Sequence, residues 1–140
     1  MIFWADKIAK QVIEREEELK RTKNLRVESG IGASGIPHLG SASDAVRAWA
    51  VCLAIRDQGK QSELIAFCDD RDGLRKVPLG FPLSLKEDIG KPVSCIKDPF
   101  KCHGSFAEHI SSLLRDALDK LGIEYKFQSG DKFYASGALN

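Results

Sequence analysis

The stretch Leu25-Arg26-Val27-Glu28-Ser29-Gly30-Ile31-Gly32-Ala33-Ser34-Gly35-Ile36-Pro37-His38-Leu39-Gly40-Ser41-Ala42-Ser43-Asp44-Ala45-Val46-Arg47 reads as a strand, a glycine-rich bend and a helix start. Leu25, Val27 and Ser29 alternate as a buried strand requires. Gly30, Gly32 and Gly35 permit positive φ and let a ligand approach the backbone closely. Pro37 cannot sit inside a helix, so the helical pattern begins near His38. This order aims free backbone N–H groups and the positive end of a helix dipole at whatever lies above the strand, a setting that favours phosphate. On the glycines alone, a bend that merely reverses the chain is the plain alternative.

Downstream, Ala42, Ala45, Val46, Trp49, Ala50, Leu53 and Ala54 recur at helical spacing, marking a buried stripe that ends near Gly59. Trp49 lies on that stripe and reads as core. Glu63 to Cys68 is a compact apolar strand, and strand, helix, strand in this order predicts a right-handed parallel unit. The strand runs into Asp69-Asp70-Arg71-Asp72, at the carboxyl end where open parallel sheets place ligands. Those carboxylates suit either a solvated turn with an N-cap or a site for a cation, metal or ammonium. Upstream, residues 3–21 read as an amphipathic helix with Trp4, Ile8, Val12 and Leu19 near one face and a solvated charge run elsewhere. Lys23-Asn24 breaks it from the first strand.

The 140 residues, 43% of them hydrophobic, suffice for one α/β core and predict a single domain spanning 1–140. With 21 basic against 20 acidic side chains, the net charge of +1 gives no global field toward nucleic acid or membrane. No apolar run approaches the roughly 20 residues of a membrane span, and no signal-peptide core opens the chain, so a cytoplasmic location is expected. The four cysteines, Cys52, Cys68, Cys95 and Cys102, are accordingly expected to be reduced, with Cys52 and Cys68 in or near the core.

Asp98, Cys102, His103 and His109 offer an oxygen, a thiolate and two imidazoles, a set suited to zinc, within a segment of about 95–110. Six residues turn a helix by roughly 600°, so His103 and His109 cannot share a helical face. The set works only if His103 precedes the helix marked by Phe106, Ile110, Leu113, Leu114, Ala117, Leu118 and Leu121, and His109 lies inside it. Without a metal, His103 is a helix-start residue and His109 a partly exposed polar one. Cys95 is a fifth participant or, preferably, a bystander. Gly122 ends the helix, Glu124 to Gln128 reads as a third strand with Tyr125 and Phe127 alternating, and Asp131 to Tyr134 begins another helix.

Ala33-Ser34-Gly35-Ile36-Pro37-His38-Leu39-Gly40-Ser41 resembles the Pro-Ser/Thr-Gly-x-x-His-Ile/Leu-Gly-His/Asn element of class I aminoacyl-tRNA synthetases. Cys68-Asp69-Asp70-Arg71-Asp72-Gly73-Leu74-Arg75-Lys76-Val77-Pro78 is similar to the Asp-Asp-x-Asp-x-x-Arg-Lys-Val-Pro segment of class I lysyl-tRNA synthetases, an archaeal and bacterial group. Phe3 to Ala9, Gly90 to Val93 and Asp98 to His109 resemble the same group, so the likeness covers nearly the whole chain in order. It departs at Ala33, where the family has Pro, at Ser41, where it has His or Asn, and at Gly32, where a Thr or Ser is usual.

The resemblance implies a Rossmann-like parallel sheet with flanking helices and an enzyme that uses ATP with Mg2+ to join lysine to tRNA. It implies catalytic roles for His38, Gly40 and Ser41, with the imidazole donating to phosphate and Gly40 leaving room for adenine. Gly35, His38 and Gly40 would bind the nucleotide, and Gly30, Gly32, Ser34, Asp69, Asp70 and Asp72 the amino acid. The zinc ion would be held by Asp98, Cys102, His103 and His109. A Lys-Met-Ser-Lys-Ser loop and a helical anticodon-binding region do not occur before Asn140, which reads as the first half of a catalytic domain, fragment or short relative. A small nucleotidylyltransferase of the His-x-Gly-His type and a zinc-containing binding module without catalysis are the alternatives.

Overall fold

The computed structural model describes residues 3–21 and 23–138, so the extreme ends of the expected 1–140 span lie outside the described residues. The order is α1 (Trp4–Glu18), β1 (Leu25–Gly32), α2 (Leu39–Asp57), β2 (Ser62–Asp69), α3 (Phe106–Lys120), β3 (Lys126–Ser129) and α4 (Gly130–Ala135). Two short 3₁₀ turns, Leu83–Asp88 and Val93–Cys95, lie in the long segment between β2 and α3. The three strands form a parallel sheet in the order β1-β2-β3, the α/β Rossmann-like arrangement expected from the strand-helix-strand pattern.

Register decides which residues become core. Leu25 pairs with Ser62 and Ile31 with Cys68, while Ala66 pairs with Phe127. The odd positions of β1 and β3 and the even positions of β2 therefore share one face, because side chains alternate along a strand. Ile31, Leu64 and Ala66 on that face pack with Ala45 and Cys52 of α2 and Leu114 and Leu118 of α3. Of these, Ile31, Leu64, Leu114 and Leu118 each contribute about 1.5–3 kcal/mol on removal from water. The opposite face carries a polar ladder in which Glu63 takes ion pairs from Arg26 on β1 and Lys126 on β3.

Helix ends follow local chemistry. At α2, Gly59 adopts φ 79° beyond the last turn, and the Lys60 N–H returns to the Ile55 carbonyl. At α3, the Ser105 hydroxyl accepts from the Glu108 N–H at 3.1 Å, and the Glu108 carboxylate accepts from the Gly104 N–H at 2.9 Å. Gly122, at φ 69°, terminates α3.

Four expectations need correction. In α1 the buried stripe is Ala5, Ala9 and Ile13, while Trp4, Ile8 and Leu19 are exposed. Small residues let α1 approach α2 closely, and Ala5 and Ala9 do so where Trp4 and Ile8 would hold the helices apart. In α2 the inward residues are Ala45, Val51, Cys52, Ala54 and Ile55; Val46 and Leu53 are exposed because two layers, α1 and the sheet, flank the helix on other sides. Leu113 and Leu121 of α3 are likewise exposed, and Ala107 and Ser111 buried. Trp49 is half-buried against the core, with the Arg56 guanidinium 4.7 Å over its ring. Tyr125 precedes β3 instead of joining it, and its hydroxyl donates to Asp119 at 2.9 Å.

Candidate functional site

Residues 32 to 41 connect β1 to α2 across the carboxyl end of the sheet. Ala33 is fully buried in a cluster with Cys68, Leu74, Val93 and Phe106, so the bend hangs from the core by a methyl group. None of Gly30, Gly32 and Gly35 has positive φ, contrary to expectation. Their value here is openness: a Cβ on Gly32 or Gly35 would meet nothing within 4 Å. One on Gly30 would lie 3.5 Å from the Asp69 carboxylate, an ordinary contact.

His38 is the N-cap of α2, with extended backbone at φ −132°, and its Nδ1 accepts from the Gly40 N–H at 3.1 Å. Because Nδ1 accepts, the neutral ring carries its proton on Nε2, free to donate outward. Gly40 makes this possible. A Cβ at Gly40 would lie 2.9 Å from His38 Cε1 and 3.0 Å from Nδ1, so only glycine lets the ring fold back onto the helix start. The motif alone assigns Gly40 to a ligand, whereas here its missing side chain makes room for His38.

Gly32, Ser34, Gly35, Ile36, His38 and Ser41 of the bend line a cavity of about 430 Å³ together with Arg75, Lys76, Pro78 and Leu79 of the loop after β2. This volume is ordinary for a small-molecule site. The fold-back of residues 70–94 brings Arg75 and Lys76 to the cavity beside the bend. A larger cleft of about 760 Å³ lies at the amino end of β1, lined by Glu16, Lys20, Arg21 and Arg26 among others. There Glu16 and Glu63 already neutralise Arg21 and Arg26.

The three aspartates after β2 separate. Asp70 is buried: its carboxylate accepts from the Ser129 hydroxyl and, at 2.7 Å, from the Asp131 N–H. It thus ties β2 to β3 and α4 and borders a different cavity, of about 410 Å³, with Ser94, Glu108 and Arg115. Asp72 is exposed and lies 3.8 Å from Arg75. Asp69 ends β2 opposite Gly32. Partial burial, and then the charges of Asp72 and Asp70, raise its carboxyl above the usual value.

The segment before α3 builds a second centre. Asp98 is 5% exposed, with Oδ1 accepting from the Phe100 N–H at 3.1 Å and Oδ2 from the Cys102 and His103 N–H groups at 2.9 and 2.8 Å. Burial alone would raise this carboxyl, but these bonds and that from the Cys102 thiol outweigh it and hold it well below the usual range. Cys102 Sγ lies 3.2 Å from Asp98 Oδ2 and 3.2 Å from Nδ1 of both histidines. His109 Nδ1 is 3.4 Å from Asp98 Oδ1, and His103 Nδ1 is 3.8 Å from Oδ2. Ligands around tetrahedral zinc stand about 3.3–3.6 Å apart, given bonds of about 2.0–2.3 Å.

All four donor atoms here fall within 4.8 Å of one another, which suits such an ion. Their relation to α3 meets the condition set by the spacing: Ser105 caps the helix, so His103 precedes it and His109 lies on its first turn. The His109 ring is packed by Phe81 and Phe100, with centroids at 5.7 and 5.1 Å. Cys95 is exposed and outside the donor cluster. Among the described residues, no helix is long and apolar enough to cross a membrane.

A family model described as tRNA synthetases class I (K) matches residues 2–140. A lysine–tRNA ligase of Cenarchaeum symbiosum is 56% identical over 137 residues, covering 97% of this chain and 26% of the relative. That of Thermococcus kodakarensis is 42% identical over 137 residues, with 98% and 26% covered. That of Roseobacter denitrificans is 37% identical over 141 residues, with 98% and 27% covered. The chain thus spans about a quarter of the length of the curated relatives it matches. With its parallel sheet, its glycine bend capped by His38 and a family match from end to end, the chain belongs to the class I (K) tRNA synthetases.

Proposed function

We propose that the chain serves a lysine–tRNA ligase, supplying the ATP-binding end of the catalytic domain. The observation that carries this reading is the orientation of His38, with Nδ1 occupied by the Gly40 N–H, which leaves Nε2 as the donor, in a cavity also lined by the cations Arg75 and Lys76. The reaction is attack of a lysine carboxylate oxygen on the α-phosphorus of ATP. The α-phosphorus–oxygen bond to the β-phosphate breaks, pyrophosphate leaves with its electron pair, and lysyl-adenylate remains. A terminal tRNA hydroxyl then attacks the lysyl carbonyl, releasing AMP.

No protein nucleophile takes part, so catalysis rests on positioning and on stabilising phosphate charge. His38 donates through Nε2 to phosphate oxygens, Ser41 and Ser34 offer hydroxyls from the same bend, and Gly35 and Gly40 keep that bend thin. Mg2+ enters with ATP as part of the substrate. Gly30 and Gly32 leave space beside Asp69, which with Asp72 faces the amine of lysine; Asp70, with its oxygens engaged by Ser129 and Asp131, orders the sheet end instead.

Asp98, Cys102, His103 and His109 would hold a zinc ion, which when bound supplies a cross-link between the loop and α3. The chain's partners are ATP, lysine and tRNA, and it works in the cytoplasm with translation. Membership of the family favours this reading over a nucleotidylyltransferase or a non-catalytic module. Lysine-dependent exchange of pyrophosphate into ATP tests it: exchange that requires lysine supports the proposal, and exchange indifferent to lysine contradicts it.

A further inference from the structure

We propose that Arg75 and Lys76 are substrate-binding residues that hold the polyphosphate of ATP in the cavity they share with His38. The proposal rests on reading the glycine bend as an ATP site and adds the other half of that site.

The loop after β2 is firmly based where these cations begin. Leu74 is 1% exposed in the core, its N–H bonds the Lys91 carbonyl at 2.9 Å, and its carbonyl takes the Gly90 N–H at 2.8 Å. The Val93 N–H bonds the Asp72 carbonyl at 2.9 Å, and the Ser94 N–H bonds the Asp70 carbonyl at 2.8 Å. Gly73 lies so close to this return strand that a Cβ there would be 3.2 Å from the Gly90 oxygen. Arg75 and Lys76 leave this fixed base directly toward the bend, and both line its cavity.

Their charges are available. Arg75 meets Asp72 only at 3.8 Å, with its side chain 81% exposed, a pair that water screens strongly. Lys76 makes no ion pair among the described residues. The same cavity is lined by Ile36, Pro78 and Leu79, and Leu79 is 93% exposed. Two cations, an imidazole donor and an apolar rim in one cavity match a ligand with a multiply charged tail and a flat apolar head. Arg75 offers a planar fork to two phosphate oxygens and Lys76 a point charge.

The distinguishing property is dependence on the length of the phosphate chain. The whole chain, wild type and an Arg75→Ala/Lys76→Ala double variant, is titrated with ATP, ADP and AMP at one ionic strength. The expected result is a loss of about tenfold or more for ATP, less for ADP, and under about twofold for AMP. A charge-keeping variant, Arg75→Lys/Lys76→Arg, should recover most of the ATP affinity. That recovery separates lost charge from a disturbed loop.

Equal losses for all three nucleotides, or none for ATP, would overturn the proposal while leaving the bend as the nucleotide site. Wild-type chain that binds no ATP would remove the underlying reading itself. Unchanged ATP binding with weakened binding of RNA would assign the pair to an RNA backbone, which also overturns it.

Discussion

The His38 bend and the Asp98 centre both orient a histidine through a neighbour, yet one rests on a single bond and the other on a network anchored by a buried carboxylate. At the bend, a single hydrogen bond from Gly40 sets the ring, and the groups around it are mostly solvent-facing. At the second centre, three backbone N–H groups fix a buried carboxylate, two aromatic rings pack His109, and four donors converge. A ligand that must come and go needs the first arrangement, whereas a resident ion needs the second. Disturbing the networked centre should therefore cost mainly stability, and disturbing the bend mainly chemistry.

The largest expected effect is on stability. Removing metal with a chelator, or substituting His103→Ala, should lower the melting temperature clearly, because binding and folding share free energy at a structural zinc site. Elemental analysis should find about one zinc per chain in protein purified without chelator. Metal-free protein that melts unchanged would erase the contrast between the two centres.

Gly40→Ala comes next, and acts on the bend. Its Cβ would collide with the His38 ring, displacing the imidazole and costing about 1 kcal/mol of stability through the lost cap. Pyrophosphate exchange should fall by at least about tenfold, a larger change than the stability loss would explain. If exchange were untouched, the folded-back ring would not be the working orientation.

A smaller effect belongs to neither centre. A hydrogen bond from Lys126 holds the Glu63 carboxyl below its usual value, against the opposing pull of burial and with help from Arg26. Since the folded-state pKa is depressed, this stabilisation is present above the usual carboxylate range and is lost as pH falls through the folded value. Glu63→Gln should flatten the acid limb of a stability–pH curve slightly and leave nucleotide binding unchanged.

The parallel sheet was legible in residues 25–32 and 62–69 because alternation, a bend and a helical stripe agree there. The convergence of Asp98, Cys102, His103 and His109 was legible because D-x3-C-H-x5-H permits only one placement relative to a helix, and Ser105 supplies the cap that realises it. The inward face of α1 was not. Trp4 and Ile8 are the larger apolar residues, but contact with α2 rewards Ala5 and Ala9, whose small size lets two helices approach. Periodicity finds a stripe without knowing how near the next helix will come.

The aspartate run shows the same limit, since Asp70 is engaged by Ser129 and Asp131, residues roughly sixty positions away that no local pattern connects. The place of Arg75 and Lys76 in the cavity beside His38 likewise depends on backbone bonds from Gly90, Val93 and Ser94, which no local pattern reveals.

His38→Asn tests the central claim most directly, because asparagine can keep the helix cap while lacking a donor at the position of Nε2. Titrating wild-type and variant chains with ATP, alongside thermal melts, separates the cap from the phosphate contact. The account predicts melting within about 1 kcal/mol of wild type and ATP binding weakened about tenfold, the scale of one charge-assisted hydrogen bond. ATP binding as tight as in wild type, at unchanged stability, would contradict it and leave His38 as a helix cap alone.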